Sequence, residues 1–289
     1  MSEFFACAAR GRNAWWRYLI SGVAAIVFAT LALTALSIVL GTAHILPPDV
    51  AAQLQQPRDA PIFFLGVGVV FAALAIGLMA AVFLFQRKRP GDVIGNWRWR
   101  LFFWGFGVWA GLECVLALID FVIAPHGFSI SVSSGTGALA ISALAGLSAQ
   151  TFAEEFIFRG YITQGILLAT KRVLPAAAIS GLVFGALHIP NGVPQAINAV
   201  VFGIVCALVA IRTGGICLTF GLHLVNNFFG AVILVSTGDV FRNSPGLFTQ
   251  NTPQLLWSDL GLTSLALLAL LGLVLRDGGL QQQPADRRL

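Results

Sequence analysis

The sequence predicts an all-α, polytopic bundle of transmembrane helices, with about eight spans in a single integral membrane domain over residues 1–289. Composition is the first reason. Of 289 residues, 57% are hydrophobic and 10% charged, and the mean hydropathy is +0.86. Soluble domains carry about 25% charged residues, so this chain lacks the charge to solvate a globular surface. The second reason is that apolar runs of bilayer length, about 20 residues, recur along the chain and leave no polar stretch for a soluble domain. The third is that the basic residues sit in short clusters between those runs. In a membrane protein such clusters set orientation, so the net charge of +5 is no nucleic-acid signal.

The spans fall at 19–41, 61–86, 101–124 and 139–158, then at 175–190, 195–212, 215–236 and 254–275. Backbone hydrogen bonds cannot be left open to lipid, so each is expected to be helical. The first run follows Arg10, Arg12 and Arg17 and exceeds the ~7–15 residues of a signal-peptide core, so it reads as a retained span. Trp97-Arg98-Trp99-Arg100 through Trp104 reads as an interfacial belt before the third. The fifth and sixth are short and meet at Pro190, Asn191, Gly192 and Pro194. At 1.5 Å per residue Glu154 lies about 22 Å from Leu139 and His188 about 20 Å from Pro175, so the two reach one level only if these short spans form a hairpin with its tip inside the membrane.

Lys and Arg alternate between loops. The N-terminus, the loop with Arg87, Lys88, Arg89, Arg98 and Arg100, Lys171 and Arg172, Arg212, and the tail with Arg276, Arg287 and Arg288 hold 14 of the 17. The intervening loops hold Arg58 and Arg242, which places both termini in the cytoplasm, with a bacterial inner membrane as the expected location. Cys7, Cys114, Cys206 and Cys217 show no paired spacing and are read as reduced thiols.

Charged groups inside a bilayer cost about 2.5–3.5 kcal/mol or more each. Glu154, Glu155 and Arg159 nevertheless lie late in the fourth span, His188 ends the fifth after Phe184, and His223, Asn226 and Asn227 lie within the seventh. Asn198 lies early in the sixth. Glu155 and Arg159 share a helical face in the favourable order, and Glu154 is turned about 100° away, free to point into a cavity. His223 and Asn227 share a face, as do Phe184 and His188. Interhelical polar contacts average only about 0.6 kcal/mol, a weak motive for burying two acids and two imidazoles, so the set reads as functional. Glu113 and Asp120 in the third span are read as structural.

Glu154-Glu155-x-x-x-Arg159, then Phe184-x-x-x-His188, then His223-x-x-x-Asn227, on successive helices, resembles the CPBP family: CAAX prenyl endopeptidases of the Ras-converting type and their bacteriocin-processing relatives. The resemblance covers about 140–235 and implies an intramembrane endopeptidase whose catalytic core is 139–236. Its substrate would be a membrane-associated peptide or lipidated protein, cut near the cytoplasmic face amid membrane lipids. Prenyl-processing members often carry Phe four residues before the last motif's His. Thr219 stands here, with Phe220 next, which weighs against farnesylated substrates rather than against the catalytic centre.

Two chemistries stay open. In one, Glu154 is the general base for water, and by analogy with the family His188 holds the water while His223 and Asn227 donate to the oxyanion. In the other, Glu154, His188 and His223 bind zinc with an open position. Two further readings of the chain are a proton- or metal-coupled transporter and a non-catalytic immunity or scaffold protein.

Overall fold

The computed structural model describes residues 3–45, 50, 61–238, 240–242, 244 and 246–276. Arg58, Arg287 and Arg288, part of the charge bias above, lie outside the described residues. A short helix α1 (Glu3–Ala8) precedes α2 (Trp15–Thr42) and α3 (Pro61–Ala81), which ends in a π turn at Val82–Gln86. After the one-turn α4 (Pro90–Ile94) come α5 (Trp99–Ile123) and α6 (Thr136–Glu154), the latter running through a π-helical stretch, Glu155–Ile162, into α7 (Thr163–Thr170). Then follow α8 (Val173–Ala186), α9 (Val193–Thr213), α10 (Cys217–Phe228) with a π turn at Phe229–Ile233, and α11 (Leu256–Arg276). Among the described residues six helical runs are long and apolar enough to cross a membrane, and α8 and the α10 run are shorter apolar helices. The chain is an integral membrane protein, a helical bundle.

Without a hydrophobic force between helices in lipid, close backbone approach must hold them together. The sequence supplies glycines for it. A Cβ on Gly68 of α3 would lie 2.7 Å from Gly146 Cα of α6, and one on Gly203 of α9 would lie 2.7 Å from Gly181 Cα of α8. Leu19, Val23 and Ile26 of α2 remain mostly exposed, a face suited to lipid.

The basic loops gather at one end. Arg10 pairs with Asp92 at 3.0 Å, Lys88 Nζ donates to the Ala8 carbonyl at 2.8 Å and the Tyr18 hydroxyl at 2.9 Å, and Arg98 donates to the Thr213 carbonyl. At the other end sit the α8–α9 tip and a small sheet, β1 (Phe128–Ile130), β2 (Leu234–Ser236) and β3 (Phe248–Gln250), in the order β1-β3-β2. β3 pairs antiparallel with β1 and parallel with β2.

Three sequence expectations change and one is met. The fourth span does not end at 158: the helix continues to Thr170, because Phe158, Tyr161 and Leu167 carry its buried face onward. Its π stretch frees backbone groups, and the Phe158 carbonyl accepts hydroxyls of both Thr163 at 2.8 Å and Ser180 at 2.9 Å. The seventh span stops being helical at Leu234 and turns into β2. Trp97 is more than a membrane anchor, packing on Trp99, Phe152 and Phe220 with ring centroids 5.1, 6.5 and 6.2 Å away. The α8–α9 hairpin is present, joined by a turn at Ile189–Asn191.

Candidate active site

Three helices deliver the charged core. Glu155 and Arg159 are fully buried and pair at 3.1 Å. Two charges so withdrawn from water persist only with good partners, and the surroundings supply them. The guanidinium lies 4.4 Å from the Phe184 ring centroid on α8 and 5.4 Å from that of Phe202 on α9, cation–π contacts on two sides. The same Glu155 Oε1 meets His223 Nδ1 at 2.9 Å. The carboxylate, paired with Arg159, accepts from this nitrogen, so Nδ1 carries a proton. The ring's Nε2 lies 3.3 Å from Glu154 Oε2. His223 is thus clamped between both acids, while the amide of Gln150, one turn before Glu154, donates to Glu154 Oε1 at 3.2 Å.

His223 forms part of the wall of a cavity of about 240 Å³, room for roughly eight waters. Gln150, His188, Asn227 and Phe184 line it too, and so do Glu113 and Asp120. Glu154 does not. Its oxygens are turned to His223 and Gln150, and the residue is 7% exposed. The expectation that Glu154, His188 and His223 share one wall therefore holds for the two histidines, and Glu154 stands behind His223 and Gln150. His188 Nδ1 bonds the Phe184 carbonyl at 2.8 Å. A carbonyl only accepts, so Nδ1 carries hydrogen and Nε2 keeps its lone pair. Both imidazoles flank the Phe184 ring, at 4.4 Å for His188 and 6.0 Å for His223.

Asn227 gains its orientation from residues to which the motif assigned no role. Trp109 Nε1 donates to Asn226 Oδ1 at 3.3 Å, and Asn226 Nδ2 donates to Asn227 Oδ1 at 3.2 Å. With its oxygen occupied, Asn227 presents its amide nitrogen as the donor. Asn198 ties α9 to α11 through the Leu260 carbonyl at 3.1 Å and Ser264 at 3.2 Å. Asp120, read as structural, hydrogen-bonds Asp259 on the cavity wall. Gln150 carried a usable signal, its place four residues before Glu154 on one helical face. Phe202 carried none, because an aromatic residue in an apolar span looks like any other. Thr219, at the departure from the family pattern, is fully buried with its hydroxyl on the Ile216 carbonyl at 3.0 Å.

The zinc reading fits poorly. Glu154 and His223 are spaced as two donors to one ion would be, about 3.3 Å for tetrahedral bonds of roughly 2.0–2.1 Å. However, among the described residues no three His, Cys, Asp or Glu side chains are gathered closely enough to hold a metal. His188, the third donor, bonds the Phe184 carbonyl through Nδ1 and so leaves Nε2 open, as metal-ligating histidines do, but it is not gathered with the other two.

Depth and access point in different directions. His223 is six residues into α10, about 9 Å along it from the basic end, as the sequence placed Glu154. The exposed lining residues of the cavity, Asn191 at the α8–α9 tip and Val240, lie at the opposite end. Towards the basic end the rings of Phe152, Phe220 and Trp97 pack together, Phe152 to Phe220 at 5.7 Å.

No solved structure matches the chain. The uncharacterized protein YyaK of Bacillus subtilis strain 168 is 30% identical over 261 residues, covering 86% of this chain and 87% of that one. A family model, type II CAAX prenyl endopeptidase Rce1-like, matches residues 136–229, the stretch from the start of α6 through α10 that carries Glu154, Glu155, Arg159, His188, His223 and Asn227. The chain belongs to this Rce1-like family of intramembrane peptidases.

Proposed function

We propose that the protein is an intramembrane endopeptidase that hydrolyses a membrane-associated peptide or lipidated protein, with Glu154 as general base, in a bacterial plasma membrane. The observation that carries this reading is His223, bonded to Glu155 through Nδ1 and set against Glu154 through Nε2, in the wall of a polar cavity inside an apolar bundle. Glu155 and Arg159 fix the imidazole and do no chemistry themselves. Rotation of the Gln150 amide off Glu154 Oε1 opens the carboxylate to the cavity that Gln150 itself lines.

Glu154 then takes a proton from water. His188 Nε2 accepts the water's second hydrogen and orients it, and the hydroxide adds to the scissile carbonyl. The Asn227 amide donates to the resulting oxyanion. The proton on Glu154 leaves on the amine, with His223 Nε2 beside it to hold the proton in transit. In this scheme His223 serves Glu154 rather than the oxyanion, because both its nitrogens already face carboxylates.

The test uses the purified full chain in liposomes carrying membrane-anchored peptides, with products read by mass spectrometry. Cleavage by wild type, lost in Glu154→Gln and kept after exhaustive chelation, is the expected result. No cleavage by wild type together with ion flux that needs Glu154 would replace the reading with that of a transporter. Peptide capture without cleavage or flux would make the chain a non-catalytic binder.

A further inference from the structure

We propose that the site is loaded from the extracytoplasmic side, so that its substrate is the outward-lying segment of a membrane-held peptide. The naming of a substrate rests on the peptidase reading above; the side of access does not.

The orientation argument comes from charge. Arg10, Arg12 and Arg17, the loop of Arg87 to Arg100, Lys171, Arg172, Arg212 and Arg276 all belong to one end of the bundle. The structure ties that end together through Arg10 to Asp92, Lys88 to Ala8, Lys171 over the Phe5 ring and Arg212 to the Leu275 carbonyl. At the opposite end Arg242 is the one basic side chain among the described residues. Cytoplasmic loops carry the Lys and Arg excess, so the tied end is cytoplasmic.

The access argument comes from the cavity. Most of its lining comes from the halves of the helices away from the basic end, with Gln150 and His223 at its deep floor. Asp120 is near the end of α5, Gln195 and Asn198 begin α9, and Asp259 begins α11. The cavity's exposed lining, Asn191 at the α8–α9 tip and Val240, with half-buried Ser236 of β2 beside them, puts the mouth at that far end. Among the described residues no Lys or Arg lines the cavity, whereas Glu113, Asp120 and Asp259 do. Between the floor at His223 and the basic loops the Trp97, Phe152 and Phe220 rings pack together. A peptide held in the bilayer would thus reach Glu154 with the part of its chain that lies on the outer side.

Cysteine accessibility tests this without any need for activity. Cys7, Cys206 and Cys217 are buried and Cys114 alone is exposed, so a Cys114→Ala background carries Asn191→Cys at the mouth or Arg12→Cys at the basic end. Each is exposed to a membrane-impermeant maleimide in intact cells and in inverted vesicles, with a permeant maleimide as the measure of full reactivity. The expected result is Asn191→Cys labelled in intact cells and Arg12→Cys only in inverted vesicles. Labelling of Asn191→Cys only in inverted vesicles overturns the proposal, and so does no labelling of it even by the permeant reagent, since the mouth would then be shut. Ser236→Cys repeats the measurement should Asn191→Cys fail to accumulate. Outer labelling combined with no cleavage of peptides presented from either side would sink the peptidase reading and leave the sidedness standing.

Discussion

At the scale of single residues the arrangement separates chemistry from scaffolding. Glu154 touches nothing but Gln150 and His223 by hydrogen bond or ion pair, so Glu154→Gln keeps the shape and removes the base. Cleavage should fall about 10²–10⁴-fold with the thermal unfolding midpoint in detergent nearly unchanged. Glu155→Gln acts differently. It strips Arg159 of its carboxylate in a fully buried place, which should cost about 3–5 kcal/mol of stability, read as a drop in the same midpoint. These residues were legible in the sequence because each is a charge or imidazole where lipid-facing helices tolerate none. What the sequence could not show is that Glu154 lies behind its neighbours, since that depends on the amide of Gln150 and the ring of His223 choosing it over the cavity.

At the scale of elements the glycines make the sharpest statement. Gly68 and Gly146 let α3 and α6 meet backbone to backbone. In Gly68→Ala the new methyl would lie 2.7 Å from Gly146 Cα, so α3 must move away from the helix that carries Glu154. A loss of about 1–3 kcal/mol is expected, measured by unfolding in detergent, with Gly22→Ala, which meets open space, as the silent comparison. The eight hydrophobic runs and the α8–α9 hairpin followed from run length and from Pro190 to Pro194. The π stretch from Glu155 to Ile162 did not, because nothing local demands it: its freed Phe158 carbonyl is satisfied by Ser180 from another helix. The three-stranded sheet escaped for a related reason, as three-residue strands joined across long separations leave no period to read.

For the whole molecule the basic end is tied together by long-range contacts, and Lys88 is its pin. The ammonium is 1% exposed and bonded to Ala8 and Tyr18. Burial lowers its pKa to about 8, with Asp92 opposing the shift weakly. The unfolded chain, whose lysine keeps a value near 10.4, then binds more protons than the folded one between those two values. Stability should therefore rise as pH climbs from about 8 towards 10, since ionising the buried amine is a cost present in full below 8. Lys88→Met should flatten that slope in unfolding measurements across the same interval. The basic clusters carry the orientation the sequence predicts, while the knitting itself, through the Ala8 and Thr213 carbonyls and the Tyr18 hydroxyl, is announced by no residue pattern.

The ring packing of Trp97, Phe152 and Phe220 has a bearing on bioenergetics. A polar cavity lined by titratable groups and reaching within a few helical turns of the basic end puts water deep inside an energised membrane. In the sidedness proposed above, the three packed rings separate that water from the cytosol. Phe152→Ala combined with Phe220→Ala should turn a hydrolase into a leak: cells expressing it would lose membrane potential on a voltage-sensitive dye and grow slowly, whereas Glu154→Gln expressed at the same level would not.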